Sequence, residues 1–383
     1  MERFEIRVSD DVLDDLRERL ARTRFPDQLE GAGWSYGTEL GYLRELVAYW
    51  RDEYDWRVHE RALNRFDHYK TRVRDLDIHF IHQRSPEPNA LPLLVTHGWP
   101  GSVYEFHKIL GPLTDPVSHG GRREDAFHVV CPSMPGYGFS QAPRASGFDV
   151  REIAETGAAL MSQLGYTRYG AQGGDWGSSV TVQLALLHPE RLAGIHLNMV
   201  VAGPPREVTN PLEGLAPEEI AWVAAMRQMQ SEETGYQRIQ GTRPQTLGYA
   251  LNDSPAGLAA WIVEKFRAWS DCGGDVESRF GKDDLLTNVM LYWVPQSITS
   301  SMRLYCETMR CGRFAPPEQR VQVPVGAAIF PAEIYKAPRA WAEAVYDIRR
   351  WTVMRSGGHF AALEEPEALV TDLREFFRPL RAG

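Results

Sequence analysis

The chain has 383 residues, room for more than one domain of ordinary size, and its 43% hydrophobic and 24% charged residues are a globular composition. A net charge of -9 at neutral pH argues against nucleic acid as a partner, because binding it takes a basic stripe that displaces counterions. No run approaches the ~18 apolar residues of a membrane span, and the charged N-terminus lacks the apolar core of a signal peptide. Cys131, Cys272, Cys306 and Cys311 show no CxxC spacing, so free thiols and a cytoplasmic location are expected. Of the 42 basic residues 5 are Lys, which leaves 37 Arg, a bias that points to a GC-rich bacterial source.

Residues 1–70 read as helix and loop. Asp10 or Asp11 is placed to cap a helix ending at Leu20, and residues 36–54 carry apolar side chains at mixed three and four spacing. This stretch holds Trp34, Trp50 and Trp56 and is expected to lie as a meander on a larger core. From residue 72 the texture changes to short apolar strands at 73–82, 91–96, 127–132, 169–172 and 193–200, with a helix at 178–187. Strands alternating with helices imply a parallel sheet with crossovers. Between residues 203 and 320 the alternation stops, and helices are expected at 217–230, 255–270 and 284–306. Strands resume at 321–330 and 350–354, before a last helix at 366–377. The division expected is a meander over 1–85, an α/β core over 86–202 and 321–383, and a helical cap over 203–320. A helical insertion at the carboxyl ends of parallel strands stands where such sheets bind ligands.

Three glycine-rich loops carry the chemistry. Gly173-Gly174-Asp175-Trp176-Gly177, between a strand and a helix, has the pattern of a nucleophile elbow, with Asp where Ser is usual. Taken alone, it is also the pattern of a glycine turn whose Asp caps the next helix. His97-Gly98-Trp99-Pro100-Gly101-Ser102 follows an apolar strand, where an α/β-hydrolase keeps one N–H of its oxyanion hole. The backbone N–H groups of Trp99 and Trp176 are therefore the expected oxyanion donors, with His97 holding its loop. Ser356-Gly357-Gly358-His359-Phe360 follows the last strand, and the order nucleophile, acid, His is that of the α/β-hydrolase fold. Glu333, in Phe330-Pro331-Ala332-Glu333, is the expected acid. Asp347 is its nearest rival but belongs to the opposite edge, and Glu364 and Glu365 are expected to start the last helix.

An aspartate nucleophile has a chemical reason. Serine opening an epoxide would leave an ether that water does not readily cleave, whereas a carboxylate leaves an ester. Water activated by His359 can then attack the carbonyl carbon of Asp175. The same logic serves alkyl halides, so a haloalkane dehalogenase is an alternative, and a hydrolase-like binding protein without turnover is another. The discriminator is a proton donor for the opening oxygen, which tyrosine hydroxyls would supply. Tyr236 and Tyr305 are candidates, but on spacing alone neither stands out among 15 tyrosines. Trp99, Trp176 and Trp293 are expected to wall an apolar substrate pocket.

The chain resembles the microsomal-type epoxide hydrolases, including the juvenile-hormone epoxide hydrolases, over nearly its whole length. The resemblance rests on HGWPGS at 97–102, GGDWG at 173–177, ETGY at 233–236, LNDSPAGLAAWIVEKF at 251–266, DDLLTNVMLYW at 283–293, FPAE at 330–333 and GGHFAALEEPE at 357–367. It implies Asp175 as nucleophile, His359 as base, Glu333 as the acid that orients it, and Tyr236 with Tyr305 as the pair that protonates the epoxide oxygen. It also implies an N-terminal meander. Mammalian microsomal members carry an N-terminal membrane anchor, and none is expected here. The reaction calls for no cofactor and no metal, with a small epoxide and water as the only partners; homo-oligomerisation is left open. The expected role lies in aromatic or xenobiotic catabolism or in antibiotic and other secondary-metabolite biosynthesis.

Overall fold

The computed structural model describes residues 1–205, 207–313 and 315–381. Among these, nine strands pair into one sheet: β1 (Glu2–Arg3), β2 (His68–Val73), β3 (Leu76–Gln83), β4 (Leu91–Thr96), β5 (Phe127–Pro132), β6 (Tyr169–Gly173), β7 (Leu192–Leu197), β8 (Val321–Ile329) and β9 (Tyr346–Val353). Their order is β1-β2-β3-β5-β4-β6-β7-β8-β9. The β1, β2 and β3 strands run antiparallel and join the parallel strands through β3 and β5. Side chains of alternate residues on a strand face opposite ways. Accordingly Leu93 and Val95 pack under helices His107–Thr114 and Pro366–Phe377, while Leu94 joins the layer of Val150–Gln163 and Asp175–Leu187.

The chain reverses direction across the sheet at β4, passing first to β5 on one side and then to β6 on the other. The crevice at such a switch point is where open α/β sheets bind ligands. The loops that leave the carboxyl ends of β4 and β6 begin at His97 and Gly174.

Several local expectations are corrected. The strand expected at 73–82 begins at Leu76 as β3, the second arm of a hairpin with β2 turned by Arg74 and Asp75 at φ 50° and 73°. Two positive φ values make the tight turn whose twist suits a hairpin, and neither residue is the glycine that would have signalled it. The helix expected from residue 36 begins at Leu40, where the Glu39 side chain accepts the Tyr42 N–H at 2.6 Å. Between β7 and β8 the chain forms Pro217–Glu232, Gly235–Thr242, Pro244–Leu251, Pro255–Trp269, Lys282–Trp293 and Ile298–Arg310. The two short helices at 235–251 escaped the sequence reading. The helix expected over 284–306 is two, because Pro295 has no N–H to donate and Gln296 turns to φ 54°.

Residues of the N-terminal segment grip these inserted helices. Arg19 pairs with Asp253 at 2.6 Å, Thr38 donates to the Ala260 carbonyl at 2.7 Å, and Tyr49 donates to Asp283 at 2.8 Å. Trp50 and Trp56 are buried beneath the segment, and the Arg267 guanidinium lies 4.6 Å from the Trp34 ring centre. All four cysteines are free thiols, Cys311 alone exposed.

Candidate active site

The turn from β6 into Asp175–Leu187 is built from close backbone approaches. A Cβ on Gly173 would stand 2.1 Å from the Gly177 carbonyl oxygen, and one on Gly177 would stand 1.9 Å from that of Thr96. Only hydrogen fits at either place, so glycine at both is a steric requirement. Asp175 itself has φ 48°, a left-handed conformation that costs a residue with a Cβ about 1–3 kcal/mol and persists only where its surroundings hold it. The strain presents its carboxylate at the sheet edge, with the side chain 17% exposed.

The His359 loop brings a side chain to that carboxylate, the Glu333 loop stands behind His359, and the loop at 97–102 brings a backbone N–H. His359 Nε2 lies 3.3 Å from Asp175 Oδ2, and His359 Nδ1 lies 2.8 Å from Glu333 Oε1. The Glu333 and His359 loops are tied together where the Ala332 N–H donates to the Gly357 carbonyl at 3.0 Å. The His359 N–H donates to the Trp269 carbonyl at 2.9 Å, so the imidazole is also fixed to the inserted helices. Burial alone would lower the His359 pKa. The charge of Glu333 and the hydrogen bonds to Asp175 and Glu333 outweigh burial and hold it well above the ordinary value. Asp347 lies near the start of β9, at the edge away from these groups.

The other carboxylate oxygen, Asp175 Oδ1, accepts the Trp99 N–H at 2.7 Å. His97 braces this loop as a neutral ring: Nδ1 donates to the Gly98 carbonyl at 2.9 Å, and Nε2 accepts the Met134 N–H at 3.2 Å. Burial lowers its pKa to about 4, which keeps it neutral and unsuited to act as a base near pH 7.

Tyr236, on Gly235–Thr242, and Tyr305, on Ile298–Arg310, meet above Asp175 with ring centres 5.9 Å apart and planes at 82°. Tyr236 stacks on Trp99 at 5.3 Å, and Tyr305 stands edge-on to Trp176 at 4.7 Å. Burial, then the charge of Asp175, raises the Tyr236 hydroxyl, while a hydrogen bond with Tyr305 opposes the rise. Burial likewise raises Tyr305 well above its ordinary value, so both hydroxyls keep their protons near pH 7.

Asp175, Trp176, Tyr236 and Tyr305 line one cavity of about 600 Å³, continued by Met229, Met309, Val182 and Ile334. A second, of about 20 Å³, is bounded by Trp99, Asp175, His359 and Glu105 and has room for one water molecule. Trp176 thus faces the larger space and Trp99 the smaller. The expectation for Trp293 is corrected: it lines neither, because it ends helix Lys282–Trp293 beneath the Arg19 guanidinium, 5.9 Å away.

Glu105 escaped the sequence reading. It lies on the turn Val103–Phe106, and burial, moderated by the His359 charge, raises its carboxyl to about 8. The available signal was a lone acid in the apolar stretch that follows HGWPGS. Glu364 also differs from expectation. It closes the short helix Ala361–Glu364 and accepts the N–H groups of Phe360 at 3.0 Å and Asp271 at 2.8 Å, which steadies the His359 loop. Burial raises it to about 7.

The sequence model described as the epoxide hydrolase N terminus matches residues 1–106, and that of the alpha/beta hydrolase fold matches residues 92–227. A candidate epoxide hydrolase of Stigmatella aurantiaca is 48% identical, over 99% of this chain and 85% of that one. The chain belongs to the epoxide hydrolase family. Epoxide hydrolase 1 of Oryctolagus cuniculus is 41% identical over 97% of this chain and 88% of its own length. The crystal structure of juvenile hormone epoxide hydrolase from Bombyx mori superposes with a TM-score of 0.92 at 34% identity, over 99% of this chain and 94% of that one. The α/β-hydrolase fold expected from the loop order is therefore shared with other epoxide hydrolases. Among the described residues no cluster of His, Cys, Asp and Glu is arranged to hold a metal ion, and no helix is long and apolar enough to cross a membrane.

Proposed function

We propose that the enzyme converts an apolar epoxide to a vicinal diol through an ester on Asp175. The observation that carries this reading is the meeting of one carboxylate and two phenolic hydroxyls across a single apolar-walled cavity. In the first step Asp175 attacks an epoxide carbon. As the carbon–oxygen bond breaks, Tyr236 and Tyr305 hydrogen-bond the leaving oxygen and one of them gives it a proton. A departing halide would need no proton, so the tyrosine pair favours an epoxide over an alkyl halide. It also favours a working catalyst over a binding protein that only keeps the fold.

In the second step His359, oriented by Glu333, takes a proton from water, which attacks the carbonyl carbon of Asp175. The oxyanion is held by the Trp99 N–H, already aimed at Oδ1, and by the N–H of Trp176. Collapse of that intermediate releases the diol and restores the carboxylate. Esterification removes the charge of Asp175, one of the causes that raise His359. The imidazole therefore becomes a free base at the stage that requires one. The small cavity beside Glu105 is the proposed seat of the water.

In this reading residues 203–320 serve as the cap that supplies both tyrosines, and residues 1–85 strap it to the core. The larger cavity suits an aryl- or alkyl-substituted epoxide, such as aromatic catabolism or secondary-metabolite biosynthesis would supply. A single turnover in 18-O water tests the ester route. The first diol should carry oxygen from the protein; solvent oxygen in that first diol would exclude the ester.

A further inference from the structure

Lys265 is a buried lysine inside an aromatic cluster, on helix Pro255–Trp269 and four residues before Trp269. Its ammonium lies 4.8 Å from the centre of the Tyr236 ring and 5.7 Å from that of Trp269. Glu264 at 2.6 Å and Glu233 at 3.6 Å pair with it. Filling this space would take only an apolar chain of similar length, and burying an ammonium carries a desolvation cost. The charge therefore calls for a function beyond packing.

We infer that Lys265 is a positioning residue for epoxide opening, its charge held against the Tyr236 ring to strengthen that hydroxyl as a proton donor. The inference rests on the reading of Tyr236 as donor. As the proton passes from Tyr236 to the epoxide oxygen, the carbon–oxygen bond breaks and the Asp175 ester bond forms. Negative charge then grows on the phenol and spreads into its ring, where an ammonium over the face attracts it. The proton that the His359 imidazolium sheds on esterification restores the tyrosine hydroxyl, and the proton His359 then takes from water restores the imidazolium, so the cycle closes as epoxide plus water to diol. Without Lys265, the carboxylates of Glu264 and Glu233 would oppose charge on Tyr236 with nothing between them and the ring, and both already act to raise its pKa.

Rapid-quench single turnovers with styrene oxide would time ester formation and ester hydrolysis separately for Lys265→Met and Lys265→Arg. Each would be measured with Tyr236 intact and with Tyr236→Phe. Ester formation should slow about tenfold in Lys265→Met, the size of a desolvated cation–π contact, and recover in Lys265→Arg. Ester hydrolysis should keep its rate, and Lys265→Met should add nothing once the Tyr236 hydroxyl is gone. Equal slowing with and without that hydroxyl would overturn the inference. So would equal slowing of hydrolysis, which would mean that Lys265 merely supports Trp269 behind His359. If Tyr236→Phe alone left ester formation at full rate, the failure would lie with Tyr236 as donor. Should Lys265→Met lower the melting temperature markedly, Lys265→Gln repeats the comparison with a polar, uncharged end.

Discussion

His359 Nε2 lies 3.3 Å from Asp175 Oδ2, a charge contact between the proposed base and the proposed nucleophile. With the charge of Glu333 the contact raises the imidazole pKa while Asp175 is free, and in the proposed mechanism esterification removes the Asp175 share. The two steps should therefore come apart when the base is removed. His359→Gln should still form the ester but not cleave it, so intact protein mixed with styrene oxide should gain the mass of one substrate. Asp175→Ala should gain nothing and yield no diol. A His359→Gln protein that stays at its original mass would count against the two-step route.

Tyr236 and Tyr305 meet from two helices, and in the proposed mechanism a single hydroxyl can still donate when the other is lost. Tyr236→Phe or Tyr305→Phe should each slow ester formation about 10- to 100-fold, within the range of general acid catalysis. The double variant should be nearly inactive. Diol formation near the original rate in the double variant would place the proton donor elsewhere.

Glu105 gives a pH signature. Its carboxyl is raised from 4.5 to about 8 in the fold, so the folded chain holds a proton there that the unfolded chain releases. Stability from this group is then present below pH 4.5 and is lost as pH rises towards about 8. Gln does not titrate. The stability of Glu105→Gln relative to the original protein should rise from pH 5 to pH 8, read from urea midpoints at several pH values. A difference that stays flat would mean that Glu105 does not titrate in that window. Ester hydrolysis in the variant should also slow about tenfold, since the water would lose its carboxyl neighbour.

Gly177 tests the elbow itself. A methyl group at this position would meet the Thr96 carbonyl at 1.9 Å, and neither backbone can yield without moving β4 or the turn. Gly177→Ala should lower stability by about 3 kcal/mol or more and abolish diol formation. A variant that melts at the original temperature with full activity would show that the turn relaxes freely.

Much of the site was legible because its loops are constrained by backbone chemistry that leaves a local trace. The glycines around Asp175 and beside His359, and their order along the chain, mark turns that few other residues could make. Glu333 was legible from its place just after a strand. Tyr236 and Tyr305 were different: their helices carry no spacing that separates an active hydroxyl from a packing one, and only family resemblance singled them out. Trp293 was misplaced for the same reason, since an aromatic residue in a helical stretch does not say which face meets the cavity. The missed helices at 235–251 are short, and the break at Pro295 lay inside a continuous apolar pattern.

By itself, then, the sequence determined the α/β-hydrolase architecture and the identity of the groups on the carboxyl edge of the sheet. Periodicity and glycine placement follow from local sterics, and these are written residue by residue. The tertiary structure decided which side chains share a space. Glu105 against the water-sized cavity, Lys265 against Tyr236, and Trp293 away from Asp175 all depend on how the inserted helices dock on the sheet. Burial sets the charge state of Glu105, and burial is a property of elements far apart in the chain.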